Sequence, residues 1–181
     1  MTMKRLFLVG YMGCGKSTLG RKLGRRLGVR FADTDACVEA SEGASVVDLF
    51  RYEGEERFRA AERRALDALV DGAEAAVIST GGGLPVWRDN MERMNEAGLT
   101  VYLKRSPGCI AARLSPYGRQ KRPRLRGLDD DELLVFMTRD MAEREPFYAR
   151  ARLIVACDGL SDDEIAVRIL AAWDRMERGG E

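Results

Sequence analysis

The sequence predicts an α/β fold: a three-layer α/β/α sandwich built on a parallel sheet. Two observations carry this. Five short apolar runs, at 5–9, 29–33, 75–80, 99–103 and 152–156, read as strands buried on both faces. The stretches between them carry apolar residues at helical spacing. Strands that alternate with helices need crossover connections, which pair them in parallel and cover both sheet faces. A chain of 181 residues fits one domain with a proper core.

The elements follow in order. "RLFLV" (5–9) is the first strand. Leu19, Leu23 and Leu27 recur every fourth position and predict a helix that ends near Gly28. "VRFAD" (29–33) is the second strand. "SVVDLF" (45–50) opens on a candidate N-cap, Ser45, with Asp48 three residues on. From Glu55 to Val70 the residues Phe58, Ala61, Ala65, Leu66 and Leu69 form one helical stripe. "AAVIST", "LTVYL" and "RLIVA" supply the remaining strands. A last helix starts at Ser161, with Glu164 in capping-box position and Ile165, Ile169, Trp173 and Met176 on one face. The segment 115–131, "SPYGRQKRPRLRGLDDD", lacks apolar periodicity and reads as a long mobile loop.

Composition narrows the class. The chain is 45% hydrophobic and 33% charged with a formal net charge of +1, the balance of an ordinary soluble globule. That balance gives no reason to expect nucleic acid or an anionic membrane as partner. Cys14, Cys37, Cys109 and Cys157 are widely scattered, so zinc-type spacings are absent and reduced thiols in a cytoplasm are expected. The first apolar run is too short for an export signal or a membrane span. The chain has no histidine, which excludes histidine-based catalysis and histidine metal ligands.

"GYMGCGKSTLG" (10–20) fits the phosphate-binding pattern G-x-x-x-x-G-K-[ST], with a strand before it and a helix after it. Its glycines let backbone N–H groups wrap a phosphate, and the helix N-terminus adds donors and partial positive charge. Lys16, read as an exposed loop lysine, would supply a point charge. Ser17 would offer an oxygen to Mg²⁺.

Three further stretches concern the acceptor. "FADTD" puts Asp33 and Asp35 at the end of the second strand, where alternation would send both carboxylates to one side. One could hold a water of the Mg²⁺ shell and the other accept a proton, or the stretch could simply be an acidic helix N-terminus with Asp33 or Thr34 as cap. "GEERFRAAE" places Arg59 and Glu62 three apart on a helix, either holding an arginine for an anionic substrate or forming a solvated ion pair. "STGGG" ends the third strand with Gly81, Gly82 and Gly83, which allow close approach of backbone to a ligand.

Taken in order, these stretches resemble the shikimate kinase family. "GYMGCGKST" is similar to its nucleotide loop, "DTD" to its paired aspartates, "GEERFR" to its substrate-arginine helix and "STGGG" to its glycine motif. "KRPRL" (121–125) resembles its lid motif and "EREPFY" (143–148) its second substrate arginine. The resemblance runs from about residue 5 to about residue 175.

It implies a P-loop kinase fold of the nucleoside monophosphate kinase type, with a five-stranded parallel sheet in order 2-3-1-4-5. It implies phosphoryl transfer from ATP, with Mg²⁺, to the 3-hydroxyl of shikimate, on the way to aromatic amino acids. By match, Gly13, Cys14, Gly15, Lys16, Ser17 and Thr18 would cradle ATP, and Arg113 would pack near adenine. Ser17 and Asp33 would serve the metal. Asp35 would bind ring hydroxyls and act as base. Arg59, steadied by Glu62, and Arg144 would clamp the carboxylate, with Gly81, Gly82 and Gly83 along the ring. Lys16 and Arg122 would neutralise phosphate charge, Arg122 from a lid at about 115–131. A cytoplasmic monomer of one domain, 1–181, is expected.

Two positions depart from the pattern. Cys14 stands where alanine is common, and Arg124 adds a charge where the lid often has leucine. Gluconate kinase, of the same fold, also takes a carboxylate. A regulatory nucleotide-binding module and an RNA binder using Arg119–Arg126 are the readings from other classes, the last weakened by the lack of interleaved aromatics.

Overall fold

The structure, a computed structural model, describes residues 5–74, 76–120 and 123–178. Its five strands are β1 (Arg5–Val9), β2 (Arg30–Asp33), β3 (Ala76–Ser79), β4 (Gly98–Lys104) and β5 (Leu153–Ala156). They form one sheet in the order β2-β3-β1-β4-β5, every pairing parallel. β1 is central and buried along its whole length, as its unbroken apolar run requires. Its two neighbours, β3 and β4, lead away in opposite directions. That opens a crevice above the carboxyl ends of the strands, where ligands of such sheets sit.

The helices between the strands are α1 (Lys16–Leu27), α2 (Thr34–Glu42), α3 (Val46–Asp48), α4 (Glu55–Asp71), α5 (Asn90–Ala97), α6 (Pro107–Arg113), α7 (Pro116–Gln120), α8 (Asp130–Tyr148) and α9 (Asp162–Arg178). A π-turn at Leu49–Glu53 and 3₁₀ turns at Leu84–Val86 and Pro123–Leu125 complete them. The Leu19 and Leu23 stripe of α1 packs on the sheet, and Gly28 ends the helix at φ 66°. Ser45 caps α3 through the Asp48 amide, and Ser161 with Glu164 closes the capping box of α9. A second apolar cluster of Val38, Leu49, Phe58, Ala61 and Ala65 joins α2 to α4. It fixes α4, and with it Arg59, against the mouth of the crevice. Among the described residues no helix is long and apolar enough to cross a membrane.

The segment 115–131 is not the long loop its composition predicts. It contains α7, the 3₁₀ turn and the start of α8. Ser115 caps the amide of Gly118, Arg119 pairs with Asp130 at 2.5 Å, and Leu125 is fully buried. One apolar anchor and local polar closures order these pieces, and neither produces a periodic signal. Ala75, Lys121 and Arg122 lie outside the described residues.

Candidate active site

The loop from Gly10 to Gly15 joins β1 to α1 at the centre of the crevice. Gly13 and Gly15 take φ values of 80° and 103°, a region that side chains other than glycine rarely adopt. Gly15 is the N-cap of α1 and brings no side chain to the first turn. The leading amides of a twelve-residue helix therefore face the loop's concavity, a ready anion site.

Lys16 is not the exposed loop lysine of the sequence reading. It is 8% exposed, and its ammonium donates to the carbonyls of Gly10 at 2.7 Å and Tyr11 at 2.9 Å. The loop carbonyls thus hold the charge over the concavity. Cys14 is buried beside it, its Sγ 3.7 Å from the ammonium. Thr18 follows in the first turn of α1, and the Arg113 guanidinium lies at the edge of the loop beside Gly15.

The aspartate pair is arranged differently from the extended alternation the sequence suggested. β2 stops at Asp33 and α2 starts at Thr34, so Asp33 is the helix N-cap and Asp35 lies in the first turn. One Asp33 oxygen accepts the Asp35 amide at 3.1 Å, and the other accepts the Ser17 hydroxyl at 2.8 Å. The capping and functional readings of Asp33 are therefore compatible. Ser17 and Asp33, with the Ser79 hydroxyl 3.3 Å from that of Ser17, form a small set of hard oxygen donors. Among the described residues no group of three or more acidic or thiol side chains gathers to cage a metal. Few protein oxygens beside a phosphate loop fit Mg²⁺, which keeps waters and shares substrate phosphates.

Asp35 and Glu62 face each other across Gly81. A Cβ on Gly81 would stand 2.6 Å from an Asp35 oxygen and 2.7 Å from a Glu62 oxygen. Burial pushes the Asp35 carboxyl up to about 6; the Asp33 charge adds to the rise and Lys16 works against it. Burial likewise pushes Glu62 up to about 7, opposed by Arg59. Asp35 is thus a carboxylate poised near neutrality, as a general base should be.

Arg59 donates to Glu62 at 2.6 Å and to Glu55 at 3.3 Å, and stacks over the Phe58 ring at 5.1 Å. Glu62 is 1% exposed, so this is not the solvated pair that i,i+3 spacing alone allows. The guanidinium lies flat against Gly83, where a Cβ would collide with it. Arg144 comes from α8. It reaches Asp140 at 3.2 Å and lies over the Tyr11 ring at 5.5 Å, and one of its nitrogens is close to Gly82. Tyr148 donates to the Gly82 carbonyl at 2.6 Å, and Thr34 accepts the Gly81 amide at 2.9 Å. The three consecutive glycines are where two carboxylates and two guanidiniums press against one strand end.

Arg59, Gly83 and Arg144 line a cavity of about 380 Å³, together with Trp87, Arg124 and Asp140 among others. Sequence reading missed Tyr11, Trp87 and Asp140. Asp140 carried one signal, its i,i+4 spacing to Arg144. Tyr11 and Trp87 carried none, since each reads as an ordinary apolar residue. Arg122 lies outside the described residues.

The arrangement can bind an anionic donor at the loop, hold an acceptor carboxylate between Arg59 and Arg144, and present Asp35 to an acceptor hydroxyl. Known proteins resemble the chain along most of its length. A family model described as shikimate kinase matches residues 12–174. The shikimate kinase of Bacteroides thetaiotaomicron is 44% identical over 160 residues, 88% of this chain and 90% of that protein. A crystal structure of shikimate kinase from that organism superposes with a TM-score of 0.87 at 40% identity, covering 94% of this chain and 98% of the other. Shikimate kinase from Acinetobacter baumannii in complex with shikimate gives 0.81 at 32% identity, covering 93% and 92%. A gluconokinase from Sinorhizobium meliloti shares only the fold, with a TM-score of 0.59 at 19% identity. Identity that spans nearly the whole chain separates the two kinases the sequence left in competition: the chain belongs to the shikimate kinase family.

Proposed function

We propose that the protein transfers the γ-phosphoryl group of ATP to the 3-hydroxyl of shikimate, giving shikimate 3-phosphate and ADP on the route to chorismate and the aromatic amino acids. One observation carries this most directly. One run of glycines, Gly81–Gly83, adjoins the near-neutral Asp35 carboxyl, the phosphate-loop backbone at Gly10 and Met12, and the guanidiniums of Arg59 and Arg144, which line one cavity.

Gly13–Thr18 hold the ATP phosphates through backbone amides and the Lys16 ammonium, with Arg113 toward the base. Arg59 and Arg144 grip the shikimate carboxylate and so fix which hydroxyl faces the donor. Glu62 holds the Arg59 fork, and Gly81–Gly83 leave room for the ring. Asp35 accepts the proton of the 3-hydroxyl as its oxygen bonds to the γ-phosphorus. The bridging P–O bond breaks and its electron pair leaves with ADP. Ser17 and Asp33 would hold Mg²⁺, which when bound neutralises phosphate charge. Arg122, from the lid at about 115–131, adds charge at the phosphates and helps exclude water.

Residues 1–181 work as one domain, monomeric and cytoplasmic, with neither nucleic acid nor membrane as partner. The deciding experiment is a coupled ADP-release assay with shikimate, quinate, gluconate and nucleoside monophosphates in parallel. Shikimate alone should support rapid turnover. Faster turnover with another acceptor, or none with shikimate, would overturn the reading.

A further inference from the structure

The cavity contains a third arginine that the phosphoryl-transfer scheme does not use. Arg124 lies in the 3₁₀ turn Pro123–Leu125 and lines the cavity with Arg59 and Arg144. Its guanidinium meets Asp140 at 3.1 Å and lies over the Phe136 ring at 5.1 Å. The next residue, Leu125, is fully buried and fixes the backbone that carries it.

A half-exposed arginine paired with an acid is ordinarily a surface ion pair of little consequence. Here the partner is different. The Asp140 side chain is 7% exposed. It also accepts the Tyr11 hydroxyl at 2.6 Å and meets Arg144 at 3.2 Å. Tyr11 belongs to the phosphate loop, so one buried carboxylate ties together the loop, α8 and the turn that bears Arg124. A desolvated carboxylate with that many donors is rigidly placed. It is also a single negative charge shared by two guanidiniums. The other acids of the lining have their own arginines, Glu55 with Arg59 and Glu143 with Arg139. Arg124 and Arg144 therefore share one carboxylate, which cannot fully match both guanidiniums.

We propose that Arg124 is a third acceptor-binding arginine, which meets the acceptor's carboxylate from the lid side, and that Asp140, held by Tyr11, is the residue that positions it. This rests on the acceptor being shikimate. Acceptor affinity and docking of the turn then rise together, because the same guanidinium serves both.

Trp87 lines the cavity, and the chain's other tryptophan, Trp173, is buried in α9, so fluorescence can report acceptor binding. Shikimate would be titrated against the full chain, against Arg124→Leu, Arg124→Lys and Asp140→Asn, and against Arg124→Leu in the Asp140→Asn background. Melting temperatures and the KM for ATP would be measured alongside. Loss of one charge-assisted contact predicts a Kd for shikimate raised about tenfold in Arg124→Leu and less in Arg124→Lys. The KM for ATP should stay within about twofold, since the donor is held by the loop. With its anchor neutralised, Arg124 is no longer aimed at the cavity, and its removal should then change Kd by less than about twofold.

An unchanged Kd in Arg124→Leu would overturn the acceptor role. So would equal losses for ATP and shikimate, which would assign Arg124 to the donor. The same loss in both backgrounds would overturn the positioning by Asp140. Absence of any response of the unaltered chain to shikimate would overturn the functional reading, and this inference with it. A normal response that Arg124→Leu leaves intact overturns this inference alone.

Discussion

Asp35→Asn should remove activity and at the same time stabilise the fold. The Asp35 carboxyl stands at about 6 against an ordinary 3.8, chiefly because it is buried. At about 1.4 kcal/mol per unit of pKa, ionising it in the folded chain costs about 3 kcal/mol more than in the unfolded chain. The sign follows from proton binding. Between pH 4 and 6 the folded state holds this proton more tightly than the unfolded state does, so stability falls as pH rises across that window. Asparagine keeps the shape and carries no charge, so the variant lacks this slope. It also relieves Glu62, whose carboxylate faces the same charge across Gly81.

Denaturant unfolding from pH 4 to pH 8 reads the effect. Asp35→Asn should match the native chain near pH 4 and exceed it by about 3 kcal/mol at pH 8, or about 6–12 °C in Tm at this length. Turnover should fall by about 10²–10⁴ at every pH where the native enzyme works. In the native enzyme kcat/KM for the acceptor should decline as pH drops through about 6, where the base becomes protonated. A variant less stable than the native chain at pH 8 would refute the reasoning. It would mean that the Asp35 charge anchors the fold, and that its burial is compensated by a partner.

Lys16→Ala should abolish phosphoryl transfer and also cost about 1–3 kcal/mol in unfolding measurements, because the Gly10 and Tyr11 carbonyls lose their donor. Arg59→Lys should raise the KM for shikimate about tenfold and leave that for ATP nearly unchanged, since an ammonium cannot reproduce the planar fork; equal losses for both substrates would return Arg59 to a structural role. Gly83→Ala should act like a milder Arg59 variant, weakening shikimate binding with little change in ATP binding, because its Cβ would displace the Arg59 guanidinium. Isothermal titration with each substrate would check it.

What the sequence made legible, and what it hid, follows from how each residue does its work. The loop, the strands and the three glycines act through the backbone, and backbone demands restrict residue type: a glycine at φ 80° or an apolar run inside a sheet leaves a local mark. Arg59 and Glu62 were visible as a pair because helical spacing is short-range, although only the fold shows that Glu62 is buried. Asp33 exposed a limit of local reading. Capping and metal service looked like rivals on paper, yet the two oxygens of one carboxylate accept from Asp35 and from Ser17 at once. Asp140 and Tyr11 lay beyond it. They are 129 positions apart, and nothing near either one requires the other. Arg124 sits in a basic run with no apolar period, where the sequence suggests a mobile lid and one added charge without a partner. Its meaning depends on a carboxylate sixteen residues away that a helix turns toward the same cavity. The groups proposed to meet the acceptor's charge therefore divide: Arg59 and Glu62 are legible in helical spacing, whereas Arg124 and Asp140 meet only through the packing of the fold. The residues proposed to hold phosphate are the ones a short motif can announce, because phosphate is gripped by consecutive amides of one stretch of chain.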